Sequence, residues 1–63
     1  MSDFKTRLIA EKNELMEKTE KLSTFLNSEN SSSVDEFQLS LLNIQLSAMQ
    51  TYHGCLEARL NNL

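Results

Sequence analysis

The sequence predicts an all-α fold: an antiparallel two-helix hairpin that assembles into a compact symmetric homo-oligomer. Three observations predict it. The chain has no proline and a single glycine, so nothing interrupts two long helical patterns. A polar run, Asn27-Ser28-Glu29-Asn30-Ser31-Ser32-Ser33, separates them and contains no apolar residue. Finally, Gln38 to Leu56 holds no Lys, Arg, Asp or Glu, yet Leu39, Leu41, Leu42, Ile44, Leu46, Met49 and Tyr52 fall within it. At 3.6 residues per turn these side chains point in several directions, and a helix apolar nearly all round must be covered on most sides. One other helix is available to cover it, so the chain calls for copies of itself.

The first helix is expected over about residues 3–26, capped by Ser2 or Asp3. Phe4, Leu8, Leu15, Leu22 and Phe25 follow steps close to a heptad, with Glu11 and Lys18 at the remaining seam positions. Glu14 with Lys18, and Glu17 with Lys21, are i,i+4 pairs that support an exposed flank. Residues 27–33 form the loop. Ser33 followed three residues later by Glu36 reads as a capping box, with Asp35 in the first turn favouring the dipole. The second helix then runs over about 34–61, with Gly54 a weak point where another backbone can approach closely. A short connection between two long helices makes an antiparallel hairpin.

Rows at seven-residue spacing organise the second helix. Leu42, Met49, Leu56 and Leu63 form the natural seam against the first helix. Leu39, Leu46, His53 and Leu60 form a second row, expected to stay uncovered in a monomer and to lie between subunits. Gln45, Tyr52 and Arg59 make a polar row beside the first, while Phe37, Leu41, Ile44, Ala48 and Cys55 add a further apolar edge.

Composition bounds the function. A chain of 63 residues, taken whole as one domain, lies near the lower limit for an unassisted core, and one cysteine excludes an internal disulfide. No apolar h-region follows Met1, and Gln38, Asn43, Gln45, Gln50 and His53 interrupt the charge-free stretch too often for a membrane span. A soluble, cytoplasmic protein is expected. The net charge of −3 argues against binding long nucleic acid through a continuous basic surface, but leaves room for a small phosphate ligand held by a few cations.

No enzyme is expected. His53 and Cys55 lie two apart on different helix faces and form no nucleophile–base pair. His53 and Glu57 share an i,i+4 spacing, but two ligands without a further His or Cys do not make a metal site, so His53 reads as partly buried at a packed interface. There is no Gly-rich phosphate loop, and neither metal nor cofactor is expected. The candidates are polar groups near the seams: Lys18, Lys21, Arg7 and Arg59, four of only six cations, with Tyr52 and the hydroxyls of Ser23 and Thr24. Each cation also fits an intersubunit ion pair or a snorkelling side chain, and Tyr52 fits core packing.

Arg7-Leu8, Glu11-Lys12, Glu14-Leu15, Lys18, Lys21-Leu22 and Phe25-Leu26 resemble the first helix of the phage anti-CBASS cyclic-nucleotide sponges. Leu41-Leu42, Gln45-Leu46, Met49, Tyr52, Leu56 and Arg59-Leu60 resemble the second, so the resemblance covers Phe4 to Leu60. It implies a helical hairpin assembled as a hexamer in the cytoplasm of an infected bacterial host. It also implies sequestration, without cleavage, of cyclic dinucleotides such as cyclic GMP-AMP and cyclic trinucleotides such as cyclic tri-AMP. By that resemblance Lys21 with Ser23 or Thr24 grips a dinucleotide phosphate, with Lys18 the next candidate, and Phe4 stacks on a base without the hydroxyl of the usual Tyr. Arg59 lines a separate trinucleotide pocket with Arg7, and Tyr52 beside it. Lys21 stands about 21 Å along the helix from Arg7 at 1.5 Å per residue, too far for both to hold one small ligand within a subunit. The alternative function is a structural or adaptor hairpin oligomer that docks a protein through its uncovered apolar rows.

Overall fold

The computed structural model describes residues 3–63. Helix α1 runs Phe4–Leu26 and helix α2 runs Glu36–Asn61, joined through a 3-10 turn at Glu29–Ser33. The two helices pack as a hairpin, and the described residues contain no strand. Leu8 and Leu15 of α1 close on Leu56 of α2, with Met49 and Leu60 packed against them. The rod measures 44 × 18 × 14 Å, and at that thickness there is one seam and no second layer.

The helix starts follow from side-chain caps. The Asp3 carboxylate accepts the Thr6 N–H at 2.7 Å and begins α1; Ser2, the other expected cap, lies outside the described residues. At α2 the cap is Asp35, whose carboxylate accepts the Gln38 N–H at 2.8 Å. This corrects the expected capping box at Ser33 and moves Asp35 from the first turn to the cap itself. The serines are occupied elsewhere: Ser31, Ser32 and Ser33 donate their hydroxyls to the carbonyls of Ser28, Glu29 and Asn30 at 2.7–2.9 Å. Those bonds close the 3-10 turn and leave the carboxylate, which also complements the helix dipole, to start α2.

The seam departs from the expected one in both helices. Along α1, Leu8, Leu15 and Leu22 are joined by Lys12, Thr19 and Leu26, whereas Glu11 and Lys18 are exposed. From each leucine the chain offers a residue at i+3 or at i+4, and the i+4 choice suits burial better. Lys12 is half-buried there, as a lysine can be when its aliphatic stem covers apolar surface and its ammonium reaches water. Thr19 satisfies its hydroxyl on the Leu15 carbonyl at 2.7 Å. Glu11 and Lys18 instead flank the seam. Of the expected i,i+4 pairs, Lys21 meets Glu17 at 3.2 Å, while Glu14 and Lys18 form no ion pair.

Along α2 the seam unites two rows predicted to face different ways. Leu39, Leu42, Leu46, Met49, His53, Leu56 and Leu60, at alternating three- and four-residue steps, are all buried or half-buried by the hairpin. The expectation that Leu39, Leu46 and Leu60 lack a partner within one hairpin is therefore overturned. Leu63, placed on the seam from its spacing, is 64% exposed beyond the helix end. The uncovered apolar surface lies on the opposite side of α2, where Phe37 is 70%, Leu41 45% and Ile44 65% exposed, continuing through exposed Ala48 and Cys55. Gly54 interrupts neither the helix nor the packing: a Cβ placed there meets nothing within 4 Å, so none of the described residues approaches it.

Two consequences are measurable. Leu56 is fully buried, so Leu56→Ala is expected to lower the unfolding free energy by about 2–5 kcal/mol in a urea titration of helicity, and a loss below about 1 kcal/mol would refute its place at the centre of the seam. At the exposed cap, the backbone N–H of Thr6 holds the Asp3 carboxyl below its ordinary value. The charged form thus stabilises the helix start above the unfolded pKa, and that contribution disappears as pH falls through the lower folded value. Asp3→Asn is expected to flatten that acid limb of the helicity curve.

Candidate functional site

The polar groups that flank the seam meet across the two helices in register. At one end the Arg59 guanidinium lies over the Phe4 ring, 5.6 Å from its centroid. Seven residues along each helix, Tyr52 donates its hydroxyl to a Glu11 carboxylate oxygen. Antiparallel heptads produce this ladder, because a step of seven forward on α1 is matched by seven back on α2. Carried further, the same register sets Lys18 beside Gln45. Phe4 is 52% and Tyr52 45% exposed, so both side chains remain open to solvent. A cation on an aromatic ring, with a second aromatic about 10 Å away along the axis, offers a charge for a phosphate and a flat surface for a base.

The structure brings some of the expected residues together and separates others. Phe4, expected to serve the dinucleotide with Lys21, lies under Arg59, whose end of α2 the antiparallel hairpin brings beside it. Arg7 is exposed between Phe4 and Glu11 on α1. Lys21, seventeen residues from Phe4 on the same helix and so about 26 Å away, has a 75% exposed side chain engaged with Glu17. Lys18 and Thr24 are exposed. Ser23 faces the other flank, where it lines an open groove of about 260 Å³ with Met16, Thr19, Glu20, Gln50 and His53. Within one hairpin, then, the five residues expected to grip a dinucleotide do not converge, whereas Tyr52 and Arg59 share a flank.

The groove carries one unsatisfied atom. His53 Nε2 is shielded from solvent and makes no hydrogen bond, with a Glu57 oxygen 3.5 Å away. Among the described residues no three His, Cys, Asp or Glu side chains gather as a metal site, and no helix is long and apolar enough to cross a membrane. Glu11 and the groove residues Met16, Glu20 and Gln50 escaped the sequence reading. Glu11, expected on the seam, lies on the flank because Lys12, at the i+4 step from Leu8, takes the seam position.

The model of the Sequestin family matches residues 2–62, and the chain belongs to that family. This is the sponge family whose residues both helices resemble. The family's name describes sequestering a ligand, a binding role rather than a catalytic one. No curated protein and no solved structure matches the chain.

Proposed function

We propose that this protein binds cyclic di- and trinucleotide second messengers, holds them without cleavage and so blocks activation of CBASS effectors in the cytoplasm of an infected bacterium. The observation that carries the reading is the Arg59 guanidinium over the exposed Phe4 ring, with Tyr52 on the same flank. Together they supply positive charge for phosphates and aromatic faces for bases, which a cyclic oligonucleotide presents alternately. A net charge of −3 is no obstacle, because a ligand with two or three phosphates needs only a few local cations. In this reading Lys21, helped by Ser23 or Thr24, and Lys18 take dinucleotide phosphates, while Arg7, Tyr52 and Arg59 serve the trinucleotide.

The working form is a homo-oligomer, a hexamer by the family resemblance, because one hairpin leaves Phe37, Leu41 and Ile44 uncovered. Symmetry then multiplies each cation: a site on a twofold axis offers the same Lys to both phosphates of a cyclic dinucleotide. Ile44→Asp puts a charge on the exposed stripe without touching the seam. It is expected to lower the particle mass in light scattering while helicity persists, and an unchanged mass would exclude this stripe as the interface.

Ligand binding is tested by stability. Cyclic GMP-AMP at 100 times its Kd is expected to raise the unfolding free energy by about 2.7 kcal/mol through mass action, seen as a higher melting temperature. No response to any cyclic di- or trinucleotide would favour the adaptor role instead. If Lys21 meets a phosphate twice per ligand, Lys21→Ala removes two charge-assisted contacts of about 1.5–3 kcal/mol each, so affinity falls at least 100-fold with the oligomer intact. Near-wild-type affinity by calorimetry would move the phosphate contact to Lys18.

A further inference from the structure

In the α2 row Leu39, Leu46, His53 and Leu60, every position but one is leucine. His53 puts a polar ring where leucine would fill the seam, and its Nε2 is shielded from solvent without a hydrogen bond. A shielded polar atom left unpaired costs free energy that an apolar side chain avoids, so the position calls for a partner. The Glu57 oxygen 3.5 Å away is beyond the usual N–H···O range and belongs to a side chain 52% exposed, so it does not supply one.

A partner has room in the groove beside it. Met16, Thr19, Glu20 and Ser23, at i, i+3, i+4 and i+7 on α1, line it opposite Gln50 and His53, at i and i+3 on α2. The space is about 260 Å³. Pockets for drug-sized ligands run about 300–1,000 Å³, so this groove admits one ring system and not a whole cyclic oligonucleotide. Among the described residues no Lys or Arg lines it, and the Glu20 carboxylate repels anions, so the ligand is uncharged where it enters. The other polar groups suit a neutral molecule. The Gln50 amide and the Ser23 hydroxyl each donate and accept, and Thr19, whose proton goes to the Leu15 carbonyl, presents an acceptor. Met16 adds a polarizable apolar surface of the kind that packs on flat rings.

We propose that this groove is a second binding site, which takes an uncharged purine carrying an exocyclic amino group, as a free base or a nucleoside. Such a ring presents an acceptor nitrogen beside an amino donor, the pattern that a glutamine amide meets with two parallel hydrogen bonds, and Gln50 supplies that amide. The Glu20 carboxylate is an acceptor for the second amino N–H. A neutral imidazole donates or accepts at Nε2 according to its tautomer, so His53 gains its missing hydrogen bond from a ring nitrogen or from the amino group. The groove is open, so the purine is gripped along its edge and laid on Met16 rather than enclosed. This site stands on the flank away from Tyr52 and Arg59, is built within one chain and does not rest on the cyclic-oligonucleotide reading.

The chain has one histidine, so the ring signals of His53 in an NMR spectrum of the full chain report on the groove without ambiguity. At fixed pH, adenosine titrated into the millimolar range is expected to shift both ring protons along a saturating curve. Inosine, with an oxo group in place of the amino group, should bind about fivefold more weakly, the worth of about one neutral hydrogen bond. Gln50→Ala, at an exposed position outside the seam, should weaken adenosine binding by a similar factor. Adenosine monophosphate should bind no tighter than adenosine, because the groove offers its phosphate a carboxylate and no cation. His53 signals that stay in place with adenosine overturn the site. Equal affinity for inosine, or a Gln50→Ala variant that binds like wild type, overturns the recognition of the amino group. Tighter binding of the monophosphate overturns the exclusion of anions and moves the purine to the Arg59 flank. Binding of cyclic GMP-AMP is measured separately, so failure of either reading leaves the other standing.

Discussion

Everything in this molecule depends on α2 being apolar on two opposed sides while the chain supplies one helix to cover it. Leu39 to Leu60 lie against α1 at alternating three- and four-residue steps, and Phe37, Leu41 and Ile44 face away from it. Among the described residues the hairpin buries only Leu8, Leu15 and Leu56 outright. Such a core is small against the entropy of ordering two helices, and small domains commonly meet that deficit by association. On the proposed reading the exposed stripe is the surface left for another copy, and association serves folding as well as ligand binding.

The same register that builds the seam organises its edges. Because α1 and α2 are antiparallel and both keep a seven-residue period, flank residues meet as rungs: Phe4 with Arg59, then Glu11 with Tyr52. A rod of this kind has no deep cleft and cannot enclose a ligand by itself. What it offers is a repeated edge carrying charge and aromatic surface, which several copies can turn toward one another. On the proposed reading, an acidic chain with six cations gains phosphate affinity from where those cations stand, and a symmetric assembly would repeat each of them.

Much of this was legible in the sequence, and the misses have definite causes. The helix spans, the polar break after Leu26 and the family were readable because proline is absent, the loop lacks any apolar residue and the helical motifs extend over both segments. Lys12 and Thr19 were passed over at the seam because heptad spacing leaves i+3 and i+4 both open, and the polar candidates Glu11 and Lys18 matched the first choice. Only the partial burial of Lys12 and the bond from Thr19 to Leu15 decide between them. Ser33 lost the cap to Asp35 because a run of serines can satisfy its own turn. Leu39, Leu46 and Leu60 were sent to a subunit interface because two adjacent rows were treated as separate faces, when a helical seam needs both. The separation of Phe4 from Lys21 follows from helix length alone, and the antiparallel direction already puts the Arg59 end of α2 beside Phe4; only the stacking of the guanidinium on the ring depends on the exact register.

Native mass spectrometry with cyclic GMP-AMP tests the central claim most directly, because one spectrum reports both the number of subunits and the chemical state of the ligand. The account predicts an oligomer carrying intact ligand in a fixed ratio, released unchanged when the particle is denatured. A monomer without ligand, or an oligomer that returns the ligand hydrolysed, would contradict it.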